Sequence, residues 1–299
     1  MYPERSEAAR IDTDADQAAL ATGPLATGPS DVLALVTSTS PWSPAAVAGV
    51  SLAARWGSNL TGCFMDPSTR GLHDTDREPT VLGLLMDPPT HDADAHAAFG
   101  AFARQSGVCE ATWAASHTGL ARTLRHLGAW HDLAVVERDV VDTSGVLDVL
   151  GEAILGSQLP CLILPPRWSG GFGFGHVVIG CNGSIESIRA IHAALPFLRM
   201  AKQVTLVDGD VRMSYDAESC LPHFDPFVYL LRHHVTAKPQ YIRASSDVAG
   251  DILLKKARDA QIDLLVMGAF GHSPARERVF GGATRRVLEE ADIPVLMQH

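Results

Sequence analysis

The sequence predicts two tandem α/β domains, each built on a parallel sheet. Three observations carry this reading. From Asp31 onward, short apolar runs alternate with longer amphipathic stretches, the pattern of βαβ units. The same order of elements begins again at His176. A chain of 299 residues with 46% hydrophobic content also has enough apolar side chain for two cores.

Residues 1–30 carry acidic residues among alanines and two copies of Ala-Thr-Gly-Pro, with few large apolar side chains. Such a segment buries too little surface to offset its ordering entropy, and it reads as a flexible tail. The first domain, 31–168, opens with the apolar run Val32 to Val36, followed by a helix over 45–56 closed by Gly57 and a strand from Leu60 to Met65. The stretch from Asp66 to about Thr90, rich in Pro, Gly, Asp and Thr, reads as a long excursion. Helical periodicity returns at 94–106. Strands are expected at Cys109 to Ala115 and Leu133 to Val136, with the helical stretch Gly119 to Ala129 between them. A helix at 145–156 leads to the strand Cys161 to Leu164, stopped by Pro165 and Pro166.

The glycine-rich segment 169–175 reads as a linker. It precedes a strand and opens no helix, so it is not a dinucleotide fingerprint. The second domain, 176–299, repeats the first. The segment at Asn59 is answered by Gln203-Val204-Thr205-Leu206, the Asp132-Leu133 strand by Asp263-Leu264, and the Pro160-led strand by the Pro294-led one.

The chemistry concentrates in the second domain. The apolar strand Leu264 to Met267 runs into Gly268-Ala269-Phe270-Gly271, then nine residues, His272 to Phe280, then Gly281-Gly282-Ala283-Thr284 and a helix from Arg285 to Glu290. Glycines at the carboxyl end of a parallel strand allow a sharp turn and close approach to main-chain N–H groups. A glycine pair ahead of a helix N-terminus favours an anion. The set describes a phosphate cradle to which Thr284 adds a hydroxyl. The opening strand ends in Gly180-Cys181-Asn182-Gly183-Ser184, and its loop would flank the same crevice if that strand lies beside Leu264–Met267.

A glycine pair, a nine-residue spacer and a further glycine after an apolar Asp-Leu strand resembles the nucleotide-binding signature of the universal stress protein family. The order of elements from about 31 to 299 resembles a tandem member. The resemblance implies doubly wound domains, each with a five-stranded parallel sheet in the order 3-2-1-4-5. It also implies an adenine nucleotide, typically ATP, with or without Mg²⁺, and pairing of the two domains, or of two chains as a homodimer, along the last strands. It places Gly180, Cys181 and Asn182 at the adenosine and Val207 at the base. Met267, Gly268, Gly271, His272, Gly281, Gly282, Ala283 and Thr284 then fall at the ribose and phosphates. Asn182 stands where the family has an acidic residue, and Gly282 where it has a small hydroxyl residue.

The first domain departs further. Leu133 to Val136 runs into Glu137-Arg138-Asp139 where the glycines should be, and these carboxylates repel phosphate, so this domain reads as a degenerate copy. The formal charge of −10 argues against nucleic acid and acidic membrane surfaces as partners. Five cysteines without a C-x-x-C pair suit reduced thiols. The absence of a long apolar run and of a secretory pattern suits the cytoplasm. His91 to His96 read as solvated loop and helix-start residues rather than metal ligands, His233-His234 as surface or interface rather than catalytic residues, and no P-loop pattern occurs. The expectation is a nucleotide-binding regulatory protein that signals to a protein partner without catalysis or with feeble hydrolysis. The alternatives are an ATP-using hydrolase or nucleotidyl transferase, and a ligand-free dimerisation scaffold.

Overall fold

The computed structural model describes residues 28–71, 93–141, 146–169, 171–209, 224–242, 246–269 and 282–299. Most of the expected tail, most of the long excursion, Cys220, and the loop carrying Gly271, His272 and Gly281 lie outside the described residues.

The N-terminal half contributes β1 (Asp31–Val36), α1 (Pro44–Trp56), β2 (Asn59–Met65), α2 (Ala93–Gln105), β3 (Ala111–Ser116), α3 (Leu120–Leu127), β4 (Leu133–Glu137), α4 (Gly151–Ser157) and β5 (Cys161–Leu164). The C-terminal half contributes β6 (His176–Cys181), α5 (Ile185–Met200), β7 (Gln203–Asp208), α6 (Pro226–Arg232), β8 (Ala237–Tyr241), α7 (Ser246–Asp259), β9 (Leu264–Gly268), α8 (Gly282–Glu290) and β10 (Val295–Gln298). Among the boundaries that differ from expectation, three stand out. β3 begins after the left-handed turn at Gly107 (φ +91°), two residues later than read. α4 is preceded by a π-helical turn, Val146–Leu150. α8 starts at Gly282, so Ala283 and Thr284 belong to its first turn instead of to a loop ahead of it.

The strands form one ten-stranded sheet in the order β3-β2-β1-β4-β5-β10-β9-β6-β7-β8. Read outward along each half this is 3-2-1-4-5, and pairing within each half is parallel. The two halves meet antiparallel, β5 against β10, with Leu296 opposite Leu162.

Strands that are apolar on both faces must be covered on both faces. Val32, Ala34 and Val36 face one layer, with Phe99 of α2, Ala190 of α5 and Leu230 of α6. Leu33 and Leu35 face the other, with Leu124 of α3, Ile154 of α4, Leu253 of α7 and Leu288 of α8.

The Asp of each Asp-Leu strand has a structural duty. Asp132 Oδ2 accepts from the N–H groups of Ser30 and Asp31 at 2.8 and 3.1 Å, and Asp263 Oδ2 accepts from those of Gly175 and His176 at 2.7 and 2.8 Å. Each carboxylate thereby holds the entry of its half's first strand, which is why the dipeptide recurs. Residues 28–30, assigned to the tail by composition, are held by this clamp and by Ser58 Oγ donating to the Pro29 carbonyl at 2.5 Å.

Further contacts tie the halves together. Trp56 of α1 meets Phe197 of α5 edge to face at 5.0 Å. Phe174, in the glycine-rich segment, packs on Phe197 at 5.7 Å and lies under the Arg55 guanidinium at 5.5 Å. Arg138 reaches across to α8, its Nη1 donating to the carbonyls of Ala291 at 2.7 Å and Leu288 at 3.3 Å. The segment read as a linker is therefore packed between the halves, with Phe172 and Phe174 both buried.

Candidate functional site

In an open α/β sheet a ligand crevice forms at the carboxyl ends of strands whose connections leave to opposite faces. β6 and β9 meet that condition, since they are neighbours and their following helices, α5 and α8, cover opposite faces. The strand adjacency on which the sequence reading depended is thus present.

Gly180 is opposite Met267 on one side and Val207 on the other, so these three residues form one row near the carboxyl edge. Val207 and Met267 are 1% and 5% exposed and join the α7–α8 layer. A Cβ on Gly180 would meet Leu253 of α7 at 3.1 Å, so the missing side chain lets α7 close on this row. Leu253 is a contributor that sequence reasoning missed.

Beyond the row the chain turns. Cys181 is buried, its thiol lies 3.7 Å from Ser187 Oγ, and desolvation pushes its pKa up, so it is not a poised nucleophile. Asn182 Oδ1 accepts from the Ser184 N–H at 3.1 Å, and Gly183 adopts φ +76°. Ser184 caps α5, its Oγ accepting from Ser187 N at 3.2 Å. The Asn182 carbonyl is engaged in this turn, while its amide N–H groups complete the residue's donor set.

Gly268 closes β9. An added Cβ would fall 2.5 Å from Ser187 N and 2.6 Å from Glu186 C, because the first turn of α5 rests directly on the strand end. This glycine is required by backbone packing, a reason the motif alone does not reveal.

α8 follows the loop after β9, and β10 runs parallel to β9, so α8 must run back along the sheet with its N-terminus at the carboxyl edge. Gly282 and Ala283 are half-buried there, Thr284 is 4% exposed, and the first turn has no acidic residue. Gly250 of α7 admits α8 closely, since a Cβ on it would meet Arg286 Cβ at 2.8 Å. The structure thus gathers Gly180, Cys181, Asn182, Val207, Met267, Gly268, Gly282, Ala283 and Thr284 around the carboxyl ends of β6, β7 and β9.

The N-terminal half fills the corresponding positions differently. Leu35 and Val136 occupy the places of Gly180 and Met267, and Cys63 that of Val207. Glu137 stands where Gly268 does. Its carboxylate, 6% exposed, accepts from the Ala45 N–H of α1 at 3.2 Å and from Thr37 Oγ1 at 3.1 Å. Burial pushes its pKa up in spite of these bonds. Arg70 lies beside it, donating to the carbonyls of Met65 and Thr37, both at 3.0 Å. The first turn of α1 is therefore already occupied by an anion of the protein itself.

Among the described residues, no group of three or more His, Cys, Asp or Glu could hold a metal ion, and no helix is long and apolar enough to cross a membrane.

Comparison with known proteins agrees with this geometry. Residues 232–299 match the model of the Universal stress protein family. A universal stress protein of Synechocystis sp. is 46% identical over 48 residues, a match covering 16% of this chain and 17% of that protein. A universal stress protein from Archaeoglobus fulgidus DSM 4304 superposes with a TM-score of 0.58 at 11% identity, covering 90% of this chain and 95% of its own. A protein of unknown function from Pseudomonas aeruginosa PAO1 does so with a TM-score of 0.59 at 10% identity, covering 90% and 92%. The structural matches, at low identity, show the fold across both halves, and the family match falls on residues 232–299, in the C-terminal half.

Proposed function

We propose that the protein binds one adenine nucleotide, ATP, in its C-terminal half and acts in the cytoplasm as a regulatory, non-catalytic stress-response protein. One observation carries this reading. At the carboxyl edge where two helix N-termini meet adjacent strand ends, the position held by the Glu137 carboxylate in the N-terminal half is held by Gly268 in the C-terminal half. An anion-favouring edge is self-occupied in one half and has no side chain in the other.

In this arrangement the row of Val207, Gly180 and Met267 backs the base, and Asn182 offers it an amide. The α8 N-terminus, with Gly282 and Ala283, receives the phosphates. Gly271, His272 and Gly281, which lie outside the described residues, complete the cradle. Asp208, opposite Cys181 at the end of β7, disfavours phosphates on that side and directs them to α8. Mg²⁺ would serve here only as a counter-ion to the phosphates.

The test is mass spectrometry of the small molecules that co-purify with the native protein, beside a Gly281→Trp variant. An adenine nucleotide present in the first and missing from the second is the expected result. No nucleotide in either, with no thermal shift on adding ATP, would leave the protein as an interaction scaffold.

A further inference from the structure

We infer that Arg138 of the first half is a positioning residue for the anion-favouring end of α8, so that the first half sets how firmly the second holds a nucleotide. The ligand in this inference rests on the nucleotide reading above, whereas the ordering of the helix does not. α8 has nine residues, too few to be stable on its own hydrogen bonds. Its apolar hold on the sheet lies toward its C-terminal end, where Val287 and Leu288 are 0% and 1% exposed.

That end is not completed by the helix itself. The last four carbonyls of a helix have no partner within it, and a cation is favoured there. The last turn of α8 has no basic residue and ends in Glu289 and Glu290. Its own arginines, Arg285 and Arg286, are engaged by Glu289, Glu290 and Asp251. The cation comes instead from the first half. Arg138, half-buried, donates from Nη1 to the carbonyls of Ala291 at 2.7 Å and Leu288 at 3.3 Å, with Glu290 and Asp292 close enough to attract it.

The second half returns the contact. Gln298 of β10, 7% exposed, donates from Nε2 to the carbonyl of Gln158 at 2.6 Å, and Gln158, at φ +54°, is the residue that ends α4. Each half therefore supplies a donor to the end of the other's last helix. The π-helical turn ahead of α4 lies beside α8, and Val149, Leu150, Val287 and Leu288 share one core layer.

A ligand at the N-terminus of α8 and a guanidinium at its C-terminus act on one equilibrium, the ordered helix against the frayed one. Both favour the ordered form, so each strengthens the other. With Arg138 in place the first turn is ordered before a ligand arrives. Without it, binding must also order the helix, and the apparent affinity falls.

Two measurements on the full chain test this: hydrogen exchange read by NMR without ligand, and calorimetric titration with ATP. The amides of Arg286 and Val287 close helical bonds to Gly282 and Ala283, so they report on the first turn. In Arg138→Ala, exchange should rise at Arg286 and Val287 as well as at the C-terminal end, and ATP should bind about fivefold more weakly or worse. Arg138→Lys, which keeps a cation at the helix end, should recover most of both. Phe99→Leu, in the core of α2 on the other face of the sheet, controls for lost stability alone: it should lower the melting point and leave ATP affinity at the parent value. If Arg138→Ala does not fold, Arg138→Gln takes its place with the same expectations. Exchange that rises only from Leu288 onward, ATP affinity unchanged in Arg138→Ala, Arg138→Lys binding as weakly as Arg138→Ala, or Phe99→Leu weakening ATP to the same degree would each overturn the inference. If the parent itself binds no ATP, the nucleotide reading fails, and exchange at Arg286 and Val287 decides this inference by itself.

Discussion

The two halves share a sheet order, a pair of helix layers and an Asp clamp, yet differ at one strand terminus, where β4 ends in Glu137 and β9 in Gly268. In the first, a carboxylate of the chain caps the helix that follows β1. In the second, the first turn of the helix that follows β6 rests on the backbone of Gly268, which has no side chain to cap it. The same strand terminus thus carries a helix-capping carboxylate in one half and no side chain in the other.

The largest expected effect comes from giving the second half a side chain at this position. Gly268→Ala places a Cβ against backbone atoms of Ser187 and Glu186, which cannot swing aside. A loss of about 3 kcal/mol in urea unfolding is expected, at the upper end for overpacking, together with loss of ATP binding.

Glu137→Ala should cost about 2 kcal/mol, since it strands the Ala45 N–H and the Thr37 hydroxyl. Glu137→Gln tests the charge alone. A carboxyl whose folded pKa lies above its unfolded value holds its proton more firmly when folded. Its contribution therefore declines as pH rises from the ordinary carboxylate range through the raised value. Melting temperatures across that window should fall with pH in the parent and be flatter in Glu137→Gln.

Arg138→Ala removes the bonds from the first half to the end of α8 and should cost about 1 kcal/mol. Hydrogen exchange should rise at Leu288 to Ala291, which would show that the first half steadies α8. The smallest effect is at Arg286, exposed and paired with Asp251 and Glu290 on the surface of α8. Arg286→Gln should leave the melting point unchanged within error.

The strands were legible because runs such as Leu264 to Met267 and Leu133 to Val136 are buried on both faces, which writes them as unbroken apolar stretches. The duplication was legible because the Asp clamp and the Pro-led last strand recur in order. Other features depend on tertiary contact. Glu137 reads in sequence only as a charge that repels phosphate, and its role as a cap appears once α1 is seen to begin beside it. Gly268 reads as a ligand glycine, whereas its first requirement is the approach of α5. Phe172 and Phe174 were hidden among glycines, and their burial comes from helices contributed by both halves. Whether the last strands pair within a chain or between chains is likewise absent from local pattern, and the β5–β10 join places it within the chain.

The central claim, that one half is open to a nucleotide and the other closed by its own carboxylate, is tested most directly by the stoichiometry of ATP binding in native mass spectrometry. One nucleotide per chain, lost in Gly281→Trp and kept in Glu137→Gln, is the predicted result. Two nucleotides per chain, or one that survives Gly281→Trp, would contradict it.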